Sequence, residues 1–146
     1  MDRKAIAILL GGVIPGLLLG IAGAVQKVSA TRGLGAGPFL VVVGATTAVV
    51  GGVFMLAGRD VRMQTSGVLY AALYSVVWAT AVGCITLALG RYGGSVSQLA
   101  PLYSMNTIIV VAIGLVVLSE WRIVNVPRVL LASALVIAGG ILATRS

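Results

Sequence analysis

The charged residues of this chain stand at the borders of five stretches that hold no Asp, Glu, Lys or Arg: Ala5–Gln26, Gly33–Gly58, Met63–Gly90, Tyr92–Ser119 and Val129–Thr144. Each is rich in Ala, Val, Leu, Ile and Gly, and none alternates polar with apolar residues as barrel strands do. Crossing the hydrocarbon of a bilayer takes about 20 mainly apolar helical residues, within a range of roughly 17–25. Backbone N–H and C=O groups find no partner in lipid unless the segment bonds to itself, as a helix does. The pattern therefore predicts an all-α integral membrane protein. It is expected to be a bundle of five transmembrane helices near residues 5–27, 38–58, 67–90, 98–119 and 126–144, in a single domain over residues 1–146.

The segments between the spans are short and carry turn signals. Gly93-Gly94 suits a tight turn, Asn125 is placed to cap the last helix, and Pro127 fits its first turn. Pro15 lacks an N–H and is expected to kink the first span. Gly12, Gly16 and Gly20 repeat every fourth residue on the first span, and Gly44, Ala48 and Gly52 do so on the second. Small residues at that spacing let helices approach closely in lipid, and packing within the chain is their expected use, ahead of a dimer seam. The basic start and the Val28-Ser29-Ala30 step imitate a signal peptide. The apolar part of such peptides runs only about 7–15 residues, so the first span is expected to be retained.

Composition sharpens this picture. Only 9% of the 146 residues are charged, where a soluble domain carries about 25%. The net charge of +7 comes from cations at span ends, which reads as contact with lipid headgroups, not nucleic acid. Cys84 is the single cysteine, so no intramolecular disulfide forms, and the absence of histidine removes His-based metal sites and triads. With five spans, the N-terminal side collects Arg3, Lys4, Arg59, Arg62, Arg122 and Arg128, and the opposite side Lys27, Arg32, Arg91 and Arg145. That bias favours a cytoplasmic N-terminus in the inner (cytoplasmic) membrane. Such a narrow bias is also what a chain inserting both ways up would carry.

Enzyme chemistry is not expected. The three acids, Asp2, Asp60 and Glu120, lie far apart in sequence, and no P-loop, dinucleotide fingerprint or nucleophile elbow occurs. Polar and aromatic residues inside the spans carry more information. Tyr70, Tyr74 and Trp78 form one helical stripe on the third span, which either packs on another helix or walls a substrate cavity. Gln98, Tyr103, Ser104, Asn106 and Thr107 lie in the fourth, where polar side chains bond to neighbouring helices or line a wet cavity. Glu120 follows the C-terminus of that span, where the helix dipole disfavours an anion; a structural ion pair with nearby arginines is expected. Lys27 ends the first charge-free stretch. By position alone it is an anchor whose ammonium reaches the headgroups. Turned inward, it becomes a functional candidate, since a charge at mid-bilayer costs about 2.5–3.5 kcal/mol.

Two segments carry a family resemblance. LGIAGAVQKVSATRGLGAGPF resembles the first-helix pattern of EamA-type members of the drug/metabolite transporter superfamily, with Gly20, Lys27 and Pro38 on its glycine, lysine and loop-proline positions. LALGRYGGSVSQLAPLYSMNTIIVVAIGLVVLSEW is similar to the second signature of that family, matched by Ala88, Leu89, Asn106 and Glu120. Thr107 replaces a proline of the pattern and Leu19 a common tryptophan. The resemblance implies one five-helix unit. Most such transporters hold two units in inverted topology, so a chain with one implies a homodimer, possibly antiparallel. The four-helix multidrug exporters of the same superfamily keep a glutamate in the first helix. This chain has none there, and Lys27, if it faces the cavity, implies an anionic or zwitterionic substrate.

The resulting expectation is a secondary transporter for a small metabolite, working by alternating access as a dimer. Substrate-binding residues are expected to be Lys27, Gln26, Tyr74, Trp78, Tyr103 and Asn106. Membrane lipids, a small-molecule substrate and a second copy are the expected partners, with no nucleic acid, metal or cofactor. A non-transporting subunit, a half-transporter partner and a flippase for lipid-linked sugars are the alternatives.

Overall fold

The computed structural model describes residues 3–58, 62–104, 106–122 and 124–143, and every regular element among them is helical. α1 (Arg3–Ile8) passes through a single π turn (Leu9–Val13) into α2 (Ile14–Thr31). α3 (Ala36–Gly58), α4 (Thr65–Gly90), α5 (Val96–Tyr103), α6 (Asn106–Val116) and α7 (Val126–Ala143) follow, with a 3-10 turn at Glu120–Arg122. Four segments are long and apolar enough to cross a membrane: Ile6–Thr31, Ala36–Gly58, Thr65–Gly90 and Val96–Val116. The apolar stretch of α7, Val126–Leu142, is shorter. The chain divides into two compact units, residues 1–93 and 94–146.

Local chemistry explains the boundaries. The Pro15 ring would collide with the carbonyl of Gly11 in a regular α-helix. The turn ahead of it widens instead, and the Ile14 N–H reaches back five residues to the Leu9 carbonyl. The expected disturbance at Pro15 thus takes the form of a π turn. Just beyond the C-terminus of α2 the chain turns at Gly33, whose φ of +89° suits a residue without a Cβ. There the Gly33 N–H donates to the Ala30 carbonyl and the Leu34 N–H to the Ser29 carbonyl, a complete Schellman closure. In the second unit the Asn125 side chain accepts from the Arg128 N–H at 3.3 Å, capping α7 with Pro127 in its first turn, as its sequence predicts.

In unit 1, both α2 and α3 pack on α4. α4 contributes only its C-terminal half: Ala79, Val82, Gly83, Ile85, Thr86, Ala88 and Leu89 are buried or half-buried, while residues 65–78 are exposed. α2 answers with Gly23, Gln26, Lys27 and Ala30, one stripe at helical spacing. Two glycines set the approach. A Cβ on Gly90 would lie 3.4 Å from the Ala30 Cβ, and one on Gly83 would lie 3.3 Å from Cδ1 of Leu40 on α3. In unit 2, α5 and α6 each pack on α7. The inner stripe of α7 includes Val129, Ser133 and Gly140, and the buried Ser133 hydroxyl donates to the Val129 carbonyl.

Burial runs opposite to that of a water-soluble domain. The buried side chains include small or polar Ala30, Thr86 and Ser133, whereas Phe54, Leu56 and Val116 are all more than 70% exposed. Helices held by small and polar contacts with large apolar residues outside are what a lipid surround selects. Three expectations need correction. A Cβ on Gly12, Gly16, Gly20, Gly44 or Gly52 would meet no atom within 4 Å, so these glycines make no close helix contact among the described residues of unit 1. α2 meets α4 through Gly23–Ala30 instead, and the rows lie off that stripe. The Tyr70, Tyr74 and Trp78 stripe is exposed, on the N-terminal half of α4, where residues 65–78 bury none of their side chains within the unit. The fourth span is not one uninterrupted helix: α5 ends at Tyr103, Ser104 is a turn residue, and α6 begins at Asn106, with Met105 outside the described residues.

Overpacking a tight helix contact costs about 1–3 kcal/mol. Gly83→Val and Gly90→Val are therefore expected to lower the thermal unfolding midpoint of the purified protein, and Gly16→Val to leave it nearly unchanged. An equal loss for Gly16→Val would mean that the first glycine row is covered in the assembled protein.

Candidate functional site

The polar residues of α2 meet α4 where both helices end. Gln26 Nε2 donates to Thr86 Oγ1 at 2.9 Å and to the Val82 carbonyl at 3.3 Å. The Thr86 hydroxyl in turn donates to the Val82 carbonyl at 2.8 Å. Thr86 is 2% exposed, so its hydroxyl is satisfied wholly by this network. One turn further along, Lys27 Nζ donates to the Leu89 carbonyl at 3.0 Å. Leu89 lies in the last turn of α4, where carbonyls have no partner within the helix. The Arg91 and Tyr92 N–H groups both turn back to the Leu87 carbonyl, leaving the Leu89 oxygen for Lys27. Lys27 is half-buried and turned toward α4, and it closes that helix as a cationic cap.

The contacts rise together along both helices, from Gln26 with Val82 and Thr86, through Lys27 with Leu89, to Ala30 beside Gly90. α2 and α4 are therefore parallel, with their partially negative C-termini side by side. Lys27, Arg32 and Arg91 supply positive charge at that end. Above the network lies an open cavity of about 290 Å³ between the end of α2, the Gly33–Gly35 loop, the start of α3 and the end of α4. Thr86 and Arg91 are its polar lining residues, and Ala30, Leu34, Ala36 and Leu87 form much of the rest.

Of the expected site residues, Gln26 and Lys27 are brought together, and both engage α4. Tyr74 and Trp78 share α4 with Thr86 but stand on its exposed half, at 68% and 40% exposure. Tyr103 and Asn106 belong to the second unit and flank Ser104. The Ser104 hydroxyl donates to the Ala100 carbonyl at 2.7 Å, and the Thr107 N–H donates to the Ser104 carbonyl three residues back, a tightened turn. The Glu120 side chain lies outside the described residues, and with it the expected ion pair; Arg122 lies over the Trp121 ring, 5.0 Å from its centroid. Sequence reading passed over Thr86 and Arg91. Their signal was the spacing of Gly83, Thr86 and Gly90, which puts two gaps and one hydroxyl on a single helix face.

Replacing Thr86 by Val removes the nearer of the two acceptors of Gln26 and leaves the Val82 carbonyl at 3.3 Å, and losing one such hydrogen bond costs about 0.5–1.5 kcal/mol. Thermal unfolding in detergent is expected to show that loss for Thr86→Val and near-complete recovery for Thr86→Ser. Equal midpoints for Thr86→Val and the unaltered protein would contradict the network.

The chain matches no family model, no curated protein and no solved structure.

Proposed function

We propose that the chain is one five-span unit of a secondary transporter for a small anionic or zwitterionic metabolite, working by alternating access as a dimer in the cytoplasmic membrane. The observation that carries this reading is Lys27: an ammonium at the end of an apolar span, turned inward to α4 and one helical turn from a cavity, where an anchor would extend to the headgroups. The discontinuity between α5 and α6, with Tyr103 and Asn106 on its two sides, supports the same reading. Transporters build substrate sites at interrupted helices, whose half-helix termini present unpaired backbone groups. The apolar stretch of α7, Val126–Leu142, falls at the short end of what spans a bilayer, and this reading makes it the fifth crossing. The resemblance of the Gly20, Lys27 and Pro38 segment to the EamA-type pattern supplies the transporter class.

A second reading has its own support. Among the described residues no buried side-chain nitrogen or oxygen lacks a hydrogen-bond partner. A membrane subunit that only holds its place, or the partner of another half-transporter, needs nothing more from Gln26, Lys27 and Thr86 than helix association. A lipid-linked sugar flippase stands beside the metabolite transporter as a variant of the first reading.

Two measurements separate these readings. Lys27→Arg keeps the charge but turns a compact ammonium into a planar fork. The transport reading expects Lys27→Arg to lose uptake into proteoliposomes while membrane insertion and dimer yield stay normal, and Lys27→Met to lose uptake and also lower the unfolding midpoint, since it removes the cap on Leu89; full uptake by Lys27→Arg would leave the lysine a cap and anchor. The antiparallel dimer is tested by cysteine labelling of the Val28–Gly37 and Arg59–Ser66 loops, after replacing the exposed Cys84. Each loop is expected to label from both sides of the membrane, and labelling from one side alone would leave a parallel dimer or a different partner.

A further inference from the structure

We infer that the cavity at the C-terminal ends of α2 and α4 seats a phosphate group, with Arg91 as its counter-charge. Four observations converge on this cavity. It is open to the end of the unit and measures about 290 Å³, near the lower limit of roughly 300–1,000 Å³ for ligand clefts, which is room for a phosphate bearing a small substituent such as glycerol. Arg91 lines it, and a guanidinium fork matches two phosphate oxygens at once. Lys27, Arg32 and Arg91 gather at this end of the unit, whereas the unit's two acids, Asp2 and Asp60, lie in sequence at the opposite ends of its spans. Among the described residues of this unit there is no carboxylate to compete for the guanidinium. The remaining walls, Ala30, Leu34, Ala36 and Leu87, are apolar and admit the non-polar part of an amphiphile.

The loop that closes the cavity is fixed, not incidental. The Schellman closure at Gly33 holds Leu34 and Gly35 in place, and the first turn of α3, which begins at Ala36, forms the facing wall. No acidic residue occupies that first turn, so its N–H groups and dipole offset part of the negative potential of the α2 and α4 C-termini, and the Arg91 guanidinium supplies the charge that an anion needs there. The chemistry recognised is a phosphate monoester or diester. It can arrive as the headgroup of an anionic phospholipid or as a free phosphate compound. The seat does not depend on the transport reading, since a non-transporting subunit would hold the same group.

The test uses the full chain purified in neutral detergent, with the thermal unfolding midpoint followed against short-chain phosphatidylglycerol, short-chain phosphatidylcholine and inorganic phosphate at constant ionic strength. A saturable rise with phosphatidylglycerol alone supports a lipid source, and a saturable rise with inorganic phosphate as well supports a free phosphate compound. Loss of a charge-assisted hydrogen bond corresponds to about tenfold or more in affinity. Arg91→Gln is expected to weaken binding by that factor, and Arg62→Gln, at the other end of the unit, by less than about twofold. Gly35→Leu supplies a second variant that leaves every charge in place. The φ of Gly35 lies outside the left-handed region and its Cβ would meet only Pro38 Cδ at 3.8 Å, so the backbone accepts a bulky side chain at a residue that lines the cavity. It too is expected to abolish the rise, and it decides the matter if Arg91→Gln does not fold. The inference is overturned by no saturable rise with either phosphate probe, by an equal rise with phosphatidylcholine, by equal weakening in Arg62→Gln and Arg91→Gln, or by unaltered binding in Gly35→Leu.

Discussion

Two parallel helices that end side by side bring like dipole ends together, and the contacts of Gln26 and Lys27 with α4 hold them there. Treating each terminus as about half a charge, at a separation of about 9 Å and an effective dielectric of about 20, gives a repulsion of about 0.5 kcal/mol. A hydrogen bond from an ammonium to a carbonyl contributes about 1.5–3 kcal/mol. The Lys27–Leu89 bond at 3.0 Å therefore outweighs the repulsion that its own geometry creates. The rest of unit 1 follows from this register. With Ala30 against Gly90, the Gly33 closure and the start of α3 are placed across the end of α4, Leu40 falls on Gly83, and the cavity is left between them.

The polar contacts do here what apolar burial does in water. Leu and Val gain little by leaving lipid for a helix interface, so association rests on close packing at small residues and on hydrogen bonds. Unit 1 has both in one place: Gly83, Ala30 and Gly90 let the backbones approach, and Thr86 and Gln26 bond across the gap. The second unit repeats the principle with Gly114, Gly140 and a buried serine, Ser133, whose hydroxyl is satisfied by its own helix.

The helices were legible because charge marks their borders: predicted starts and ends at 38–58, 67–90 and 126–144 lie within a few residues of α3, α4 and α7. Pro15, Asn125 and Pro127 were legible for the same reason, since each acts on its immediate backbone. Pairing was not. Gly12, Gly16 and Gly20 look like a packing row, yet nothing in a single helix says which face a neighbour will use, and the neighbour chose Gly23 to Ala30. Lys27 shows the same limit. Its position at the end of a span fits a headgroup anchor and an inward cap equally well, and only the end of α4 beside it decides the direction. Thr86 was hidden because one threonine in an apolar run carries no signal until Gln26 faces it.

The parallel register of α2 and α4 is the claim on which the site, the cavity and the inward lysine all depend. A cysteine pair at Ala30 and Gly90, in a chain whose Cys84 is replaced by serine, tests it directly. The Ala30 Cβ and a Cβ at Gly90 lie 3.4 Å apart, at the short edge of the roughly 3.5–4.5 Å that a disulfide spans. Mild oxidation is expected to link the two positions within one chain, so that cleavage at a site engineered into the Arg59–Ser66 loop leaves the fragments joined until reductant is added. Fragments that separate without reductant, or links that form only between chains, would contradict the register.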